Sequence, residues 1–376
     1  MSNIFSKKTY FITGGGTGGH IYPAMAVADA LSKSGENIEL YYVGNPNNLE
    51  YSICEQKGYK FLPVSVKGMP RKIDLSLIPW VFNLGISIVK SLFYISKYKP
   101  NGIFGTGGYV SAPIMIASIL EGKTPFMMHD CDAKPGLVTR KLAPYASSVS
   151  LAFDKAKSFI TNDNCIVTGN PLRPEFKTLS KKLAKETLNL EPDKKVLLVM
   201  GGSQGAKSID NAFGEIIKEL SEDNNLQIIF QTGKKNFSDV IERLEKIYPN
   251  YKKNKNILIK PYFDDMITIL KASDIVISRA GSLSLSEIFA SDTAALLIPY
   301  PHAASDHQRK NAKFVEEQGA CIYLEDNDTD PNSLKEIILN LLNNEEKRNK
   351  LKENSTKLAQ YDALKNIVNQ FIKITE

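Results

Sequence analysis

The chain has 376 residues, a length that favours two domains, each with its own hydrophobic core. With 43% hydrophobic and 23% charged residues, the composition is that of an ordinary globular protein. The four cysteines are scattered without a C-x-x-C pair, which argues against a disulfide framework or a zinc site and suits a reducing cytoplasm. We expect neither a secretory leader nor a membrane-spanning helix, because glycine, proline or asparagine interrupts each long apolar run.

A glycine-rich loop follows the first predicted strand. Residues 9–13 are β-rich and lead into the run G-G-G-T-G-G-H at residues 14–20, after which a helix is predicted over about residues 23–32. The loop satisfies G-x-G-x-x-G, the dinucleotide-binding pattern. The second predicted strand, however, ends in Gly44 and Asn45 rather than in the acid that holds an adenosine ribose. The pattern therefore favours a phosphate-binding loop over a nicotinamide dehydrogenase.

His20 stands at the exit of this loop, near the start of the predicted helix. The positive end of a helix favours a neutral imidazole, the form that a general base requires. The alternative is a histidine that only hydrogen-bonds the loop. A functional role is favoured because the chain has only four histidines and all fall in motif stretches: His20, His129, His302 and His307.

A basic and apolar segment comes next. Residues 60–99 carry seven basic side chains and one acid, Asp74, so this segment alone has the net charge of +6 that the whole chain has. Residues 73–96 are apolar on more than one helical face, which indicates a buried helix or two, a surface patch that docks on an anionic bilayer, or both. The predicted membrane patch contains Arg71, Lys72, Leu75, Ile78, Trp80 and Phe82. No nucleic-acid-binding module is present, so we expect no nucleic-acid partner.

A second strand and glycine loop occupy residues 101–113. Gly105, Gly107 and Gly108 allow the backbone to approach a ligand closely, or else form a tight turn before a helix predicted from Pro113.

The next predicted strand, residues 125–128, leads into H-D-C-D at residues 129–132. A D-x-D pair such as Asp130 and Asp132 elsewhere coordinates a metal ion beneath a nucleotide diphosphate. Because the glycine loops already supply anion-binding N–H groups, we expect no metal ion here.

A Pro/Gly-rich join at residues 169–174 marks the predicted domain boundary, with a first domain at 1–170 and a second at 171–355. Arg173 in this join is either an ordinary surface arginine or a contact for a diphosphate.

The second half repeats the opening unit. After a charged connector helix predicted over residues 177–195, a buried strand at 196–200 runs into the glycine loop 201–205 and an amphipathic helix. Such a repeat is typical of two Rossmann-like domains, and Ser203 with the loop amides would then hold phosphate.

Two predicted strands and two helix starts meet further on. The strand at 275–278 precedes a tight turn and a helix from Ser282, and the strand at 295–298 precedes a Pro/His loop and a helix near Asp306. Ligands of parallel sheets bind at such an edge, where helix N-termini attract anions. Glu287, one turn into the first helix, is suited to hold two neighbouring sugar hydroxyls. A strand at 320–324 and helical residues up to the C-terminus complete the prediction.

These motifs resemble those of the MurG glycosyltransferases, which add N-acetylglucosamine to the lipid-linked muramyl precursor of bacterial peptidoglycan. The matching runs are G-G-T-G-G-H at 15–20, G-N-P-x-R at 169–173, R-x-G-S-L-S-x-S-E at 279–287 and P-Y-P-H-A-A-x-D-H-Q at 299–308. The resemblance implies a glycosyltransferase-B fold, an α/β architecture of two Rossmann-like domains facing a cleft. It also implies that the last helix, about residues 356–376, packs back on the first domain.

The implied reaction is inverting transfer from UDP-N-acetylglucosamine to the 4-hydroxyl of an undecaprenyl-diphosphate-linked muramyl-pentapeptide, without a cofactor. It would take place at the cytoplasmic face of the inner membrane, with the acceptor in the first domain and the donor in the second. His20 would be the general base and Asp130 a second catalytic candidate. The acceptor would contact Gly105, Gly107, Gly108 and Tyr109.

The resemblance also assigns a donor site. Phe263 would lie against the uracil ring or else be a core aromatic, while Glu287 and Gln308 would hold ribose and sugar hydroxyls respectively. At residues 129–136 the chain departs from the family's H-E-Q-N-x-x-P-G, since Asp132 replaces an amide that would contact the donor sugar. The full implied set is Thr17, Gly18, Gly19, Asp132, Arg173, Ser203, Phe263, Ser282, Leu283, Ser284, Leu285, Ser286, Glu287 and Gln308.

Three other activities fit the same motifs. A transferase that makes glycosyl-diacylglycerols would share the fold and the donor site, and a UDP-sugar epimerase of the same fold would need no membrane patch. A non-catalytic sugar-nucleotide-binding protein would not depend on His20.

Overall fold

The computed structural model describes residues 7–35, 37–70, 74–202 and 204–376, and three predicted site residues, Arg71, Lys72 and Ser203, lie outside these ranges. The chain divides into two compact units. The first unit comprises Met1–Pro171 and Asp362–Glu376, and the second comprises Leu172–Tyr361.

The first unit alternates strands and helices. Its described strands are β1 (Lys8–Thr13), β2 (Ile38–Gly44), β3 (Lys60–Pro63), β4 (Gly102–Gly105), β5 (Phe126–Asp130), β6 (Ser148–Leu151) and β7 (Cys165–Val167). Its helices up to residue 171 are α1 (Gly18–Ser34), α2 (Leu49–Lys57), α3 (Leu77–Tyr98), α4 (Gly108–Glu121) and α5 (Leu137–Leu142), with 3-10 turns at Ala143–Tyr145 and Asp154–Phe159.

The strands of the first unit form one parallel sheet in the order β3-β2-β1-β4-β5-β6-β7. Side chains alternate across it: Tyr10 and Ile12 of β1 face the cluster that contains α1, while Phe11 faces the cluster that contains α3 and α4. The chain order reverses between β1 and β4, and in open sheets ligands bind beyond the carboxyl ends of the strands at such a reversal. The loops after β1 and β4 are the two predicted glycine loops.

The second unit has the same plan. Its described strands are β8 (Lys195–Met200), β9 (Leu226–Gln231), β10 (Ile257–Lys260), β11 (Ile275–Ser278), β12 (Ala294–Leu297) and β13 (Cys321–Tyr323). Its helices are α6 (Glu175–Thr178), α7 (Lys181–Thr187), α8 (Lys207–Leu220), α9 (Phe237–Ile247), α10 (Met266–Ala272), α11 (Ser282–Phe289), α12 (His307–Glu317), α13 (Pro331–Asn343) and α14 (Glu345–Lys357). Short 3-10 turns lie at Tyr251–Lys253, Ala304–Asp306 and Asp326–Asp328.

These strands pair in parallel in the order β10-β9-β8-β11-β12-β13, and the chain order reverses between β8 and β11. The glycine loop after β8 and the turn before α11 therefore meet at the ligand-binding edge of the second sheet. The prediction of an α/β chain made of two Rossmann-like units is confirmed.

Several helix boundaries differ from the predicted ones. Helix α1 begins at Gly18 and α4 at Gly108, and each contains its proline, Pro23 or Pro113, as an internal residue. Pro23 lacks the N–H that would bond to the carbonyl of Gly19, and that carbonyl accepts the thiol of Cys131 instead, at 3.4 Å.

The predicted connector helix and tail helix are each divided. Helix α6 ends at Thr178, and Ser180 caps α7, where its hydroxyl accepts the Leu183 N–H at 3.2 Å. Asn344 does the same at the start of α14, where its side chain accepts the Lys347 N–H at 2.9 Å.

The last helix, α15 (Ala363–Thr375), belongs to the first unit. It packs against α1 and the strands β4–β6, with Phe371 fully buried against the ring of Tyr10. Gln370 Nε2 donates to Ser148 Oγ at 3.1 Å.

Candidate active site

His20 and the loop after β4 are joined at the reversal point of the first sheet. His20 lies in the first turn of α1, and its Nδ1 is 2.8 Å from the carbonyl oxygen of Thr106. A carbonyl only accepts, so Nδ1 carries the proton in this bond and the lone pair of a neutral imidazole is on Nε2. Thr106 Oγ1 in turn donates to the carbonyl of His20 at 2.6 Å. The two loops thus hold the ring in the tautomer that a general base needs.

The glycines beside this ring leave no room for side chains. Gly107 and Gly108 have φ of 78° and 73°, a region that favours glycine. A Cβ on Gly108 would lie 3.0 Å from His20 Cδ2, and one on Gly107 would lie 3.9 Å from both His20 Cε1 and Asp130 Oδ2. The second glycine loop therefore packs directly against His20, and Gly107 lies near both His20 and Asp130.

The other two predicted acceptor residues, Gly105 and Tyr109, pack against neighbouring residues. Gly105 is buried at the end of β4, where a Cβ would lie 2.0 Å from Met115 Cε and 2.9 Å from Thr13 Cγ2, so a side chain there would require these neighbours to move. The hydroxyl of Tyr109 is 3.3 Å from Asn48 Nδ2, and its ring covers Gly16, where a Cβ would lie 2.7 Å from Tyr109 Cε1. Thr17 is exposed at the end of the loop, and Gly18 and Gly19 are partly exposed in the first turn of α1.

Asp130 is buried at the end of β5. Its Oδ2 accepts the Gly136 N–H at 3.0 Å and its Oδ1 accepts the Asp132 N–H at 3.2 Å. Burial, together with the nearby carboxylate of Asp132, raises the pKa of Asp130. Asp132 itself is half-buried. Among the described residues, no group of three or more His, Cys, Asp or Glu side chains has the arrangement of a metal site.

Two residues that no sequence motif marks support the first loop. Glu50, in the first turn of α2, is fully buried, and its carboxylate accepts N–H groups from Asn45 at 3.2 Å and from Gly16 at 3.5 Å. The hydroxyl of Tyr42 donates to the carbonyl of Gly14. Glu50 is thus an acid soon after β2, as in dinucleotide-binding folds. It is buried against the first glycine loop, however, and is not exposed where it could bind a ribose.

His129 and His307 differ from His20 in their surroundings. His129 is fully buried between Ser150 Oγ, at 2.9 Å, and Asn170 Oδ1, at 3.1 Å. Burial lowers the pKa of His129 to about 4, so it is a neutral core residue. His307 uses Nδ1 to contact the Ala304 carbonyl at 2.6 Å in an exposed turn.

In the second unit, α11 exposes only part of its predicted contact run. Ser282, Leu285 and Ser286 are buried, and Ser286 Oγ donates to the Ser282 carbonyl at 3.2 Å. Their side chains therefore face the interior of the unit, and a donor contact for these three residues stays a prediction. Leu283, Ser284 and Glu287 are partly exposed. Glu287 follows Ser284 by three residues and Leu283 by four, so it neighbours both on the helix surface.

Glu287 and Arg173 lie together at this face. Glu287 Oε1 is 3.6 Å from Arg173 Nη2, and burial raises the pKa of Glu287 although Arg173 opposes the shift. Gln308 lies in the first turn of α12, where its Oε1 accepts the Tyr300 N–H at 3.0 Å.

Phe263 is a core aromatic rather than an open stacking surface. Its side chain is 7% exposed and its N–H donates to Gln231 Oε1 at 2.9 Å. The same amide of Gln231 donates through Nε2 to the Gly202 carbonyl at 3.4 Å. Gln231 therefore connects the loop after β10 to the glycine loop after β8.

Arg279 connects the surrounding loops. Its Nη1 donates to the carbonyls of Ile298 at 3.0 Å and Pro299 at 3.1 Å and to Asp326 at 2.5 Å, while Nη2 donates to Ser208 Oγ at 2.9 Å. Arg279, the first residue of the R-x-G motif, therefore joins the loop after β12 to the turn that contains Asp326 and to Ser208 at the start of α8.

Helix α3 presents the predicted membrane patch. Its buried residues, Ser87, Ser91, Tyr94 and Ile95, form one narrow stripe. Ile78 and Phe82 of α3 are 68% and 69% exposed, and Leu75, which precedes the helix, is 81% exposed. Trp80 is half-buried and its Nε1 donates to the Lys67 carbonyl at 2.9 Å, so it anchors the helix more than it extends the patch. Of the described helices, α3 alone is long and apolar enough to cross a membrane by length and composition.

Comparisons with known proteins match nearly the whole chain. The glycosyltransferase family 28 N-terminal domain matches residues 10–151, and the C-terminal domain of the same family matches residues 196–367. A relative from Desulforamulus reducens is 36% identical over 96% of this chain and 98% of its own length, and one from Halothermothrix orenii is 35% identical over 95% and 96%. Both are named UDP-N-acetylglucosamine–N-acetylmuramyl-(pentapeptide) pyrophosphoryl-undecaprenol N-acetylglucosamine transferase.

Solved structures support the fold. The crystal structure of Acinetobacter baumannii MurG has a TM-score of 0.78 at 24% identity and covers 98% of this chain and 100% of its own. The UDP complex of S. aureus MnaA has a TM-score of 0.67 at 16% identity, with 96% and 95% covered. The chain therefore has a glycosyltransferase-B fold, and it belongs to the MurG family of glycosyltransferases within family 28.

Proposed function

We propose that this protein transfers N-acetylglucosamine from UDP-N-acetylglucosamine to the 4-hydroxyl of an undecaprenyl-diphosphate-linked muramyl-pentapeptide. Relatives that match nearly the whole chain are named for this reaction. The observation on which the proposal chiefly depends is the bond between His20 Nδ1 and the Thr106 carbonyl, since it leaves Nε2 as the proton acceptor at the ligand-binding edge of the first sheet.

The chemistry is a single displacement. His20 Nε2 takes the proton of the acceptor 4-hydroxyl as that oxygen forms a bond to the anomeric carbon of the donor. The bond between that carbon and the β-phosphate oxygen breaks, and its electron pair leaves with UDP. Attack on the face opposite to the leaving group inverts the configuration. Asp130 would support the loop rather than take the proton, because it is buried and its two oxygens accept the N–H groups of Asp132 and Gly136.

The second unit would bind the donor. The first turns of α8 and α11 supply helix N-termini that favour the diphosphate charge as it develops on the leaving group. Arg173 would add a guanidinium to that charge once its partner Glu287 accepts hydroxyl groups of the ribose. Gln308, Leu283 and Ser284 would line the same site, and Phe263 would contribute its backbone, because its ring is buried.

The first unit would bind the acceptor at the cytoplasmic face of the membrane. The loop formed by Gly107 and Gly108 would face the acceptor diphosphate with its backbone N–H groups. The exposed apolar side of α3, with Lys67, Lys90 and Lys97 exposed nearby, would lie on a bilayer that carries anionic lipids. Peripheral docking is favoured over a span because one stripe of α3 packs on the unit and α3 contacts α4.

One assay separates this function from its rivals. The purified chain is given UDP-N-acetylglucosamine with a lipid-diphosphate muramyl-pentapeptide, with diacylglycerol, or with no acceptor, and UDP release and sugar products are followed. We expect UDP release only with the muramyl acceptor. Release with diacylglycerol, or conversion of the donor to an epimer without any acceptor, would assign one of the alternatives instead.

A further inference from the structure

The glycine loop after β8 is held against the loop after β9 by backbone contacts. Gly205 and Gly233 have φ of 81° and 78°. A Cβ on Gly205 would lie 2.1 Å from the Thr232 carbonyl oxygen, and a Cβ on Gly233 would lie 2.1 Å from the nitrogen of Gly205. The position of one loop therefore determines the position of the other.

Asp210 lies beneath this contact, one turn into α8. Its Oδ2 accepts the Ala206 N–H at 3.2 Å and the side-chain amide of Asn236 at 2.6 Å. Asn236 Nδ2 would also be 2.6 Å from a Cβ on Gly205. A single carboxylate oxygen thus joins the end of the β8 loop to the residue that precedes α9.

We propose that Asp210 is a positioning residue for the sugar nucleotide, which, through Asn236 and the Ala206 N–H, holds the glycine loop after β8 in the shape that receives the donor diphosphate. The inference rests on the proposed function, since it requires the donor to bind at that loop. Asp210 is 2% exposed, so it acts through the loop and not by touching the ligand.

The carboxylate is poorly suited to a purely structural role. Its Oδ1 is buried without a hydrogen-bond partner among the described residues. Burial raises the pKa of Asp210 to about 6 although Arg279 and Arg243 face it, and Glu215 and Lys218 of its own helix line the groove beside it. Asparagine would keep an acceptor oxygen without the cost of a buried charge, whereas the charge strengthens the bond to the Ala206 N–H.

The test compares three variants with a matched control. Asp210→Ala and Asn236→Ala remove the two sides of the contact, Asp210→Asn keeps its shape, and Asp239→Ala removes an exposed acid from the first turn of α9. The measurements are the Kd for UDP by calorimetry at pH 7.5 and pH 5.5, the Tm, and hydrogen exchange of the Ala206 amide.

We expect Asp210→Ala and Asn236→Ala to weaken UDP binding about tenfold and to speed exchange at Ala206, with the KM for the acceptor unchanged. Asp210→Asn should keep or raise the Tm at pH 7.5, yet bind UDP several-fold more weakly. We expect the UDP affinity of wild type to fall between pH 7.5 and pH 5.5, and we expect a smaller fall in Asp210→Asn. The Asp239→Ala control should match wild type.

Folded Asp210→Ala and Asp210→Asn proteins with wild-type UDP affinity and wild-type exchange at Ala206 would overturn the inference. A lower Tm in Asp210→Asn would also overturn it, if the loss of stability alone explained the weaker UDP binding. If wild type fails to bind UDP, the proposed function falls; exchange at Ala206 then still decides whether Asp210 holds the loop.

Discussion

Arg173 Nη2 lies 3.6 Å from Glu287 Oε1, so two residues assigned to different parts of the donor are paired with each other in the second unit. The sequence places them more than a hundred residues apart. We propose that donor binding replaces this one interaction with two, in which Arg173 contacts phosphate and Glu287 contacts hydroxyl groups.

Replacing Glu287 with glutamine tests this exchange. The amide keeps the size of the side chain but accepts hydroxyl hydrogen bonds more weakly, so we expect the KM for UDP-N-acetylglucosamine to rise about tenfold, equivalent to about 1.4 kcal/mol. A KM within twofold of wild type would remove Glu287 from the donor site. Glu336→Gln on α13 is a control outside the site.

The same variant has a predicted effect on stability. Burial raises the pKa of Glu287 above its ordinary value, so its contribution to stability is greatest below the unfolded-state pKa and is lost as the pH rises through the folded-state pKa. At pH 8 the ionised carboxylate therefore costs stability, and we expect Glu287→Gln to have a Tm equal to or above that of wild type. Thermal unfolding at pH 8 and pH 4.5 measures the difference, which should narrow at the lower pH.

Glu50 gives a prediction for the first unit. Glu50→Ala leaves the N–H groups of Asn45 and Gly16 without their buried acceptor and opens a cavity beneath the loop. The expected loss of stability is about 1–3 kcal/mol, with a fall in kcat because His20 follows the loop. Glu55→Ala, an exposed change on the same helix, is the control and should leave the Tm and kcat unchanged.

The exposed side of α3 is tested by Ile78→Glu combined with Phe82→Glu, two positions one helical turn apart. Each change removes an apolar side chain worth about 1.5–3 kcal/mol on full burial, so binding to vesicles of anionic phospholipid should fall at least tenfold. Turnover of a short-chain, water-soluble acceptor should be unaffected. Leu183→Glu, at an exposed leucine of the second unit, is the matched control. Vesicle sedimentation that is equal for all three proteins would rule out docking through α3.

The pattern of strands, glycine loops and helices was predictable because each is a local property: apolar runs make buried strands, and glycines mark the turns after them. The helix starts at Gly18 and Gly108 were not, since glycine has poor helix propensity and the first turn of α1 is held by the distant Thr106. The helix starts after Ser180 and Asn344 could have been predicted from the sequence, because serine and asparagine are good N-terminal helix caps.

The motifs of the candidate site were predictable from the sequence, whereas the burial and contacts of its individual side chains were less so. Periodicity along the short helix α11 does not say which face is buried, so it does not separate Leu285 from the partly exposed Leu283 and Glu287. Glu50 and Asp210 act through contacts with loops that precede or follow them in the chain, and such contacts depend on the packing of the sheet. Neither residue belongs to a motif that could have identified it.

The most direct test of the central claim is the single-turnover rate of His20→Asn. Asparagine can still donate a hydrogen bond to the Thr106 carbonyl, so the loop is kept while the proton acceptor Nε2 is lost. We predict a rate about 10²- to 10⁴-fold below that of wild type, with the Kd for UDP-N-acetylglucosamine within twofold. A rate within threefold of wild type would mean that another group takes the proton, and His20 would then not be the general base.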